Sequence, residues 1–245
     1  MKPTPNSAPE TAAVLAFGAH PDDLEFGCGG VIAAETAAGR AVRLVVCSRG
    51  ESATQGTPAE RTAEAEQSAA LLGAALEFLD LGGDAHFERR LPEALKLASI
   101  VRRVRPRLIL APSPGENQHP DHARLGQMVR DAARLARYGG VAELRPHPAH
   151  AIDALLFYAV TPEAEPPGVQ PILVDVSAPA TLAAWTAAMR AHATQAKVRN
   201  YAELHLARAR VFGLRAGVGH AQPLWPNDPL LFPSLGPLGS SERSF

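Results

Sequence analysis

Short apolar runs alternate with longer amphipathic ones along the chain, and this alternation predicts strands separated by helices. Val14–Phe17 reads as a buried strand, followed by a Gly-rich turn and a helix from Val31 to Ala38 that stops at Gly39. Val42–Val46, Leu76–Leu79, Leu108–Leu110, Ala154–Val160 and Ile172–Val176 read as further strands. Helices are expected over Pro58–Leu72, Pro92–Val104, Ala123–Arg137, Ala180–Gln195 and Tyr201–Leu214. The second of these strands leads to the clearest helix: Pro58 suits its first turn and Gly73 its stop. Residues 161–171, with four prolines, read as a loop, and the stretch after Pro223 as irregular.

Strand and helix alternating at this spacing implies right-handed crossovers. The expected fold is α/β and Rossmann-like, a mostly parallel sheet with helices on both faces and a C-terminal helical elaboration. We read residues 1–245 as a single domain, with a motif-bearing core of about 13–224 and an irregular tail over 225–245. The apolar, Pro-rich stretches Pro223–Pro226 and Leu230–Pro233 suit burial against another subunit, so a homo-oligomer is expected.

Composition narrows the function classes. A chain of 245 residues, 46% hydrophobic but only 5% aromatic, can bury a large core built from aliphatic side chains. A net charge of −1 argues against a nucleic-acid partner. Cys28 and Cys47 cannot make a disulfide framework, and the N-terminus Met1–Ser7 is polar with two prolines. No run is long enough to span a bilayer. These features lead to the expectation of a cytoplasmic protein with no membrane partner.

The chemistry lies in two polar clusters at strand ends, where open parallel sheets gather their ligands. Ala19-His20-Pro21-Asp22-Asp23-Leu24-Glu25 follows the first strand, and Glu116-Asn117-Gln118-His119-Pro120-Asp121-His122 follows the fourth. In a doubly wound sheet these strands commonly lie side by side, so the clusters converge. Together they supply three imidazoles and several carboxylates, enough for three metal ligands and an uncoordinated base. The adjacent pair Asp22-Asp23 can divide those duties. The Gly27–Gly30 stretch is too short and wrongly spaced for a dinucleotide fingerprint. Cys28 reads as a small packed residue.

These motifs resemble the PIG-L/LmbE-like family of metal-dependent N-acetylglucosaminyl deacetylases. Arg49-Gly50-Glu51, Gly56-Thr57-Pro58 with Arg61, His192-Ala193-Thr194-Gln195 and Gly217–Pro223 continue the likeness over most of residues 13–224. The Gly-Thr-Pro plus Arg loop is similar to the bacillithiol-biosynthesis enzymes of that family, which act on N-acetylglucosaminyl malate. Gln118 and His220 depart from those enzymes, which often carry an arginine and an aromatic residue there.

The resemblance implies a zinc ion, one per subunit, held by His20, Asp23 and His122, with Fe²⁺ or another divalent metal as the alternative. It implies Asp22 as general base and His119 as general acid. Asp121 would orient His119 and keep it protonated, or else support a metal-bound histidine. Arg61, and after it Gln118 and His220, are expected to touch a small N-acetylglucosamine conjugate. A trimer or hexamer follows by the same analogy. Other conjugates, such as the inositol conjugate or chitobiose, and a non-catalytic metal- or ligand-binding Rossmann-like protein are the alternatives. His86, His147, His150 and His205 are read as surface or packing residues, and His192 as structural.

Overall fold

The computed structural model describes residues 13–197 and 199–235. The N-terminal segment and the last part of the tail, residues 1–12 and 236–245, lie outside the described residues. β1 (Val14–Gly18) leads into α1 (Asp23–Ala37), β2 (Val42–Val46) into α2 (Pro58–Leu72), and β3 (Ala75–Phe78) into α3 (Leu91–Val104). β4 (Leu108–Pro112) precedes α4 (Pro120–Ala136) and β5 (Ala154–Tyr158). Then come β6 (Ile172–Asp175), α5 (Pro179–Ala191), the single turn α6 (Ala193–Ala196), α7 (Tyr201–Arg215) and β7 (Ala221–Pro226). They build one seven-stranded sheet in the order β3-β2-β1-β4-β5-β7-β6. β1 to β5 pair in parallel, and β7 runs antiparallel to both its neighbours. The mixed α/β, mostly parallel architecture expected from the sequence is the one observed.

Side chains alternate across the sheet, and both faces are covered, which is why its strands are continuously apolar. Leu15 and Phe17 of β1 pack with Leu97, Val101, Leu125 and Met128 of α3 and α4. Val14 and Ala16 point the other way, to Leu24, Ile32, Trp185 and Met189 of α1 and α5. Thr57 and Glu60 close a reciprocal cap at the start of α2, and Gly73 ends it at φ 68°.

Three elements differ from the sequence reading. α1 starts at Asp23 rather than Val31 and is kinked at Cys28 (φ −146°), and the glycines around the kink serve packing. A Cβ on Gly27 would lie 2.1 Å from the Tyr158 ring, and one on Gly29 2.6 Å from Trp185. Both rings are anchored: Tyr158 Oη donates to the Phe17 carbonyl and Trp185 Nε1 to the Glu25 carbonyl, each at 2.7 Å. The helix expected over Ala180–Gln195 breaks at His192, whose ψ of 61° is not helical. Finally, the tail is not irregular from residue 225, since β7 runs to Pro226 and buries Leu224 and Trp225 within the chain's own sheet. Leu230, Leu231 and Phe232 remain exposed. No helix among the described residues is long and apolar enough to cross a membrane.

One buried cation organises the end of the sheet away from the metal-binding motifs. Arg102 of α3, 2% exposed, donates to the carbonyls of Ala136, Tyr138, Leu144 and His147. It thereby closes the C-terminus of α4 and holds the following loop. Arg102→Ala would strand those carbonyls without donors. We expect a loss of about 3–5 kcal/mol in denaturant unfolding, with the m-value unchanged. An effect below about 1 kcal/mol would show that water replaces the guanidinium.

His205 of α7 lies face to face with Phe26, ring centroids 5.1 Å apart and planes inclined by 6°. Burial first, and then the Arg208 cation, depress its pKa to about 3. The unfolded chain therefore takes up a proton below about pH 6.5 that the fold refuses. Stability should be unaffected by this group above pH 6.5 and decline as pH falls from there towards 3. By pH 5 the decline is on the order of 2 kcal/mol. In His205→Phe that part of the pH dependence should vanish from thermal melts, and an unchanged slope would acquit His205.

Candidate metal centre

β1 and β4 are hydrogen-bonded neighbours, with Val14 opposite Leu108 and Ala16 opposite Leu110. The turn after β1 and the start of α4 therefore open side by side at the C-terminal edge of the sheet. This brings His20, Asp22 and Asp23 against His119, Asp121 and His122, which are separated from them by about a hundred residues of chain.

His20 Nδ1 lies 3.2 Å from His122 Nε2 and 3.5 Å from Asp23 Oδ2, and His122 Nε2 lies 3.0 Å from Asp23 Oδ1. These separations involve both oxygens of Asp23, and they are comparable to the edges of about 3.3–3.4 Å in a tetrahedral shell with bonds of about 2.0–2.1 Å. Asp23 is oriented by the backbone N–H groups of Ala19 and His20, both at 2.9 Å. Burial opposes its charge, but His122 and His20 hold its pKa well below the usual carboxylate value. Among the described residues two groups, His20 with His119 and His122, and His20 with Asp84 and Asp121, bring ligand atoms within 4.8 Å of one another, and both contain His20. The His20 ring offers a different nitrogen to each side. Its Nδ1 faces Asp23 and His122, leaving Nε2 to Asp84 and Asp121, and such carboxylate partners normally orient a metal-binding imidazole.

Asp22 takes the remaining duty through its backbone. It sits at the N-terminal boundary of α1 at φ 111°, a left-handed conformation that Asp and Asn adopt more readily than most residues, and its carboxylate has its own partner. Arg61 Nη2 donates to Asp22 Oδ2 at 3.1 Å and to the Pro21 carbonyl at 2.6 Å. Burial, and then the Asp23 charge, push the Asp22 pKa up to about 7, against the pull of Arg61, His192 and His20. Arg61 is 4% exposed. The sequence places it at the substrate; it lines the crevice, and its Nη2 is bonded to Asp22 and to the turn beneath.

His119 caps α4, its Nδ1 accepting from the Asp121 N–H at 3.3 Å, so its ring proton sits on Nε2. The expectation that Asp121 orients His119 and keeps it protonated is not met. Asp121, fully buried, accepts instead from His20 Nε2 at 3.3 Å and from the Ala85 N–H at 2.7 Å. Burial, followed by the neighbouring His20 and His122, lowers the pKa of His119.

Sequence reasoning misses Asp84. Its Oδ1 lies 3.0 Å from His20 Nε2, on the loop after β3. Ala85, at φ 67°, turns that loop so that its own N–H meets Asp121. The available signal is position: a carboxylate between Gly83 and Ala85, just beyond the C-terminal end of a parallel strand. Gln118 and His220, by contrast, are not brought to the site. Gln118 Nε2 donates back to the carbonyls of Ser113 and Gly115, both at 2.6 Å. The backbone of His220 is tied to Ser177, at the corner between β6 and α5. His192 is buried against Glu25, Nε2 to Oε2 3.3 Å, under the start of α1.

The centre opens into a crevice of about 670 Å³ lined by Asp22, Asp84 and His119, by Ser52–Gln55 after β2, and by Phe26, Val160, Thr161, Gln195 and Tyr201.

Residues 15–133 match the family model described as PIG-L, GlcNAc-PI de-N-acetylase. A 4-oxalmesaconate hydratase of Pseudomonas putida is 31% identical over 146 residues, 55% of this chain and 56% of the relative. A diacetylchitobiose deacetylase of Thermococcus kodakarensis is 29% identical over 164 residues, 59% of each chain. The chain thus spans a little over half the length of these two curated relatives. The crystal structure of a conserved protein from Thermus thermophilus superposes with a TM-score of 0.81 at 30% identity, covering 91% of this chain and 97% of that one.

If Asp121 orients His20 for a metal, Asp121→Asn should keep the fold yet weaken divalent-ion affinity about 10–100-fold. Competition with a chromogenic chelator reads this directly. Unchanged affinity would assign the orienting duty to Asp84.

Proposed function

We propose that this chain, whose residues 15–133 match the PIG-L family model, is a metal-dependent hydrolytic N-deacetylase that removes acetate from an N-acetylglucosamine conjugate. The observation that supports this reading is the convergence of His20, Asp23 and His122 within 3.0–3.5 Å of one another beside a second carboxylate, Asp22, that is bound to Arg61. In this reading His20, Asp23 and His122 hold the ion, and zinc is the first choice among divalent metals. The ion supplies Lewis-acid polarisation of the acetamide carbonyl and makes water more acidic. Asp22 accepts the proton from the attacking water, with Arg61 fixing its carboxylate. His119 donates from Nε2 towards the developing oxyanion and the leaving nitrogen. Asp121 and Asp84 orient His20. A cytoplasmic setting and a homo-oligomer belong to the same proposal, the latter supported by the exposed Leu230, Leu231 and Phe232.

The finer reading, N-acetylglucosaminyl malate as the substrate in bacillithiol biosynthesis, draws its support from the Gly56-Thr57-Pro58 and Arg61 loop. The engagement of Arg61 and Gln118 elsewhere leaves it weaker support than the deacetylase reading itself. A second reaction class is favoured by one observation, the 31% identical relative named as a hydratase. Water addition to an unsaturated carboxylate needs a base and an ion as well, so the two classes separate by product.

The test is acetate release from N-acetylglucosamine conjugates by protein loaded with Zn²⁺ or Fe²⁺. Turnover should disappear with a chelator and return with the metal. His122→Ala should lose metal and turnover together. Asp22→Asn should keep the metal and lose about 10²–10⁴-fold in kcat. Metal-bound protein that releases no acetate but hydrates an unsaturated polycarboxylate would move the chain to the hydratase class.

A further inference from the structure

The crevice has two chemically distinct ends. Its charged lining residues, Asp22, Asp23, Asp84 and Arg61, all belong to the metal end, and Arg61 is committed to Asp22 and the Pro21 carbonyl. Apart from the imidazoles of the metal end, the rest of the lining among the described residues is uncharged and includes Thr54, Gln55, Thr161, Gln195 and Tyr201. At about 670 Å³ the space falls within the range that encloses a drug-sized ligand, and it exceeds what one acetylated sugar fills.

The uncharged end is also built. Tyr201 stacks on Phe26, centroids 5.0 Å apart and planes inclined by 26°, and Phe26 is backed by His205. The tyrosine ring is thereby held at the crevice wall. Across from it, Gln195 Nε2 donates to the Gln55 carbonyl at 3.3 Å and joins the loop after β2 to α6. Thr194 fixes that junction through two bonds to Glu64, at 2.7 and 2.8 Å. An aromatic face beside amides and hydroxyls suits one kind of ligand, a ring with an apolar C–H face and a rim of hydroxyls. The electron-rich ring face attracts the C–H face, while neutral amides satisfy the rim at no cost in unpaired charge.

We propose that Tyr201 and Gln195 form an aglycone subsite that selects an uncharged, sugar-like group attached to the N-acetylglucosaminyl unit, in preference to an acidic one. The proposal rests on the deacetylase reading for the position of the acetamide.

Metal-loaded enzyme is assayed for acetate release from diacetylchitobiose, N-acetylglucosaminyl malate and free N-acetylglucosamine. The disaccharide should have the highest kcat/KM. Tyr201→Leu, which keeps apolar bulk without a ring face, should lower the disaccharide-to-monosaccharide ratio about 5–10-fold, the value of one aromatic stack. Tyr201→Phe should restore most of that ratio, which separates loss of the ring from loss of the fold. Preference for the malate conjugate, or an equal loss on all three substrates, would overturn the subsite. Calorimetry with chitobiose, which has no acetyl group to lose, keeps the two readings apart. Chitobiose binding that weakens in Tyr201→Leu supports the subsite even if no acetate is released, a result that would sink only the deacetylase reading. Binding indifferent to Tyr201 overturns the subsite whatever the turnover.

Discussion

The pairing of β1 with β4 is the constraint on which the site depends. Neither polar motif suffices alone for the proposed metal centre, since one would supply His20 and Asp23 and the other His122. Parallel register of Val14 with Leu108 puts both strands' C-terminal ends at one level, at the point where the order of the sheet reverses. From there each chain segment needs only one turn to reach the ion position. The turn after β1 enters α1, and the turn after β4 enters α4 through a proline in its first turn. Everything packed behind these two helices, including Tyr158 and Trp185 set against the glycines of α1, holds that level fixed.

The second requirement is that two adjacent carboxylates act differently. Backbone geometry achieves this. Asp23 lies inside α1 and accepts from two N–H groups behind it, whereas Asp22 is twisted to φ 111°. A non-glycine residue in that region costs on the order of 1–3 kcal/mol and persists only when its surroundings hold it there. Here the Arg61 guanidinium does so, gripping both the Asp22 carboxylate and the carbonyl just before it. The arginine that sequence reasoning assigns to the substrate lines the crevice and also holds this turn.

The adjacency of strands one and four, the two motifs and the covered sheet are legible because they rest on periodicity and on residue types at strand ends. What escapes has specific causes. Gly27, Gly29 and Gly30 signal a turn in isolation, and only the Tyr158 and Trp185 rings reveal them as a packing surface on a helix. β7 is hidden by Pro223 and Pro226, which argue against a central strand. The pairing is staggered, so Pro223 faces Leu173 of β6 while β5 meets only Trp225 and Pro226. Asp84 belongs to no spacing pattern at all. Its place beside His20 is created by the reversal of Gly82, Gly83 and Ala85, a tertiary fact. Gln118 and His220 read from the sequence as facing the site, and local hydrogen bonds draw them elsewhere.

The charges at the centre have a logic of their own. Asp22, Asp23, Asp84 and Asp121 surround three imidazoles and one guanidinium, and burying that many anions is costly unless positive charge is supplied. In the protein alone, protons supply it. Burial disfavours a charged His20, yet Asp23, Asp121 and Asp84 outweigh that and raise its pKa well above the ordinary imidazole value. A divalent ion between His20, Asp23 and His122 meets the same need and requires His20 Nδ1 to be free of its proton, so proton and ion compete for one niche. A cation bound there would favour the ionised form of Asp22, whose pKa burial and the Asp23 charge raise to about 7. Because Asp22 is bound to Arg61 and not to His20 or His122, it could gain and lose a proton without releasing either imidazole. In the proposed hydrolytic cycle, that would divide the residues that fix charge from the one that exchanges it.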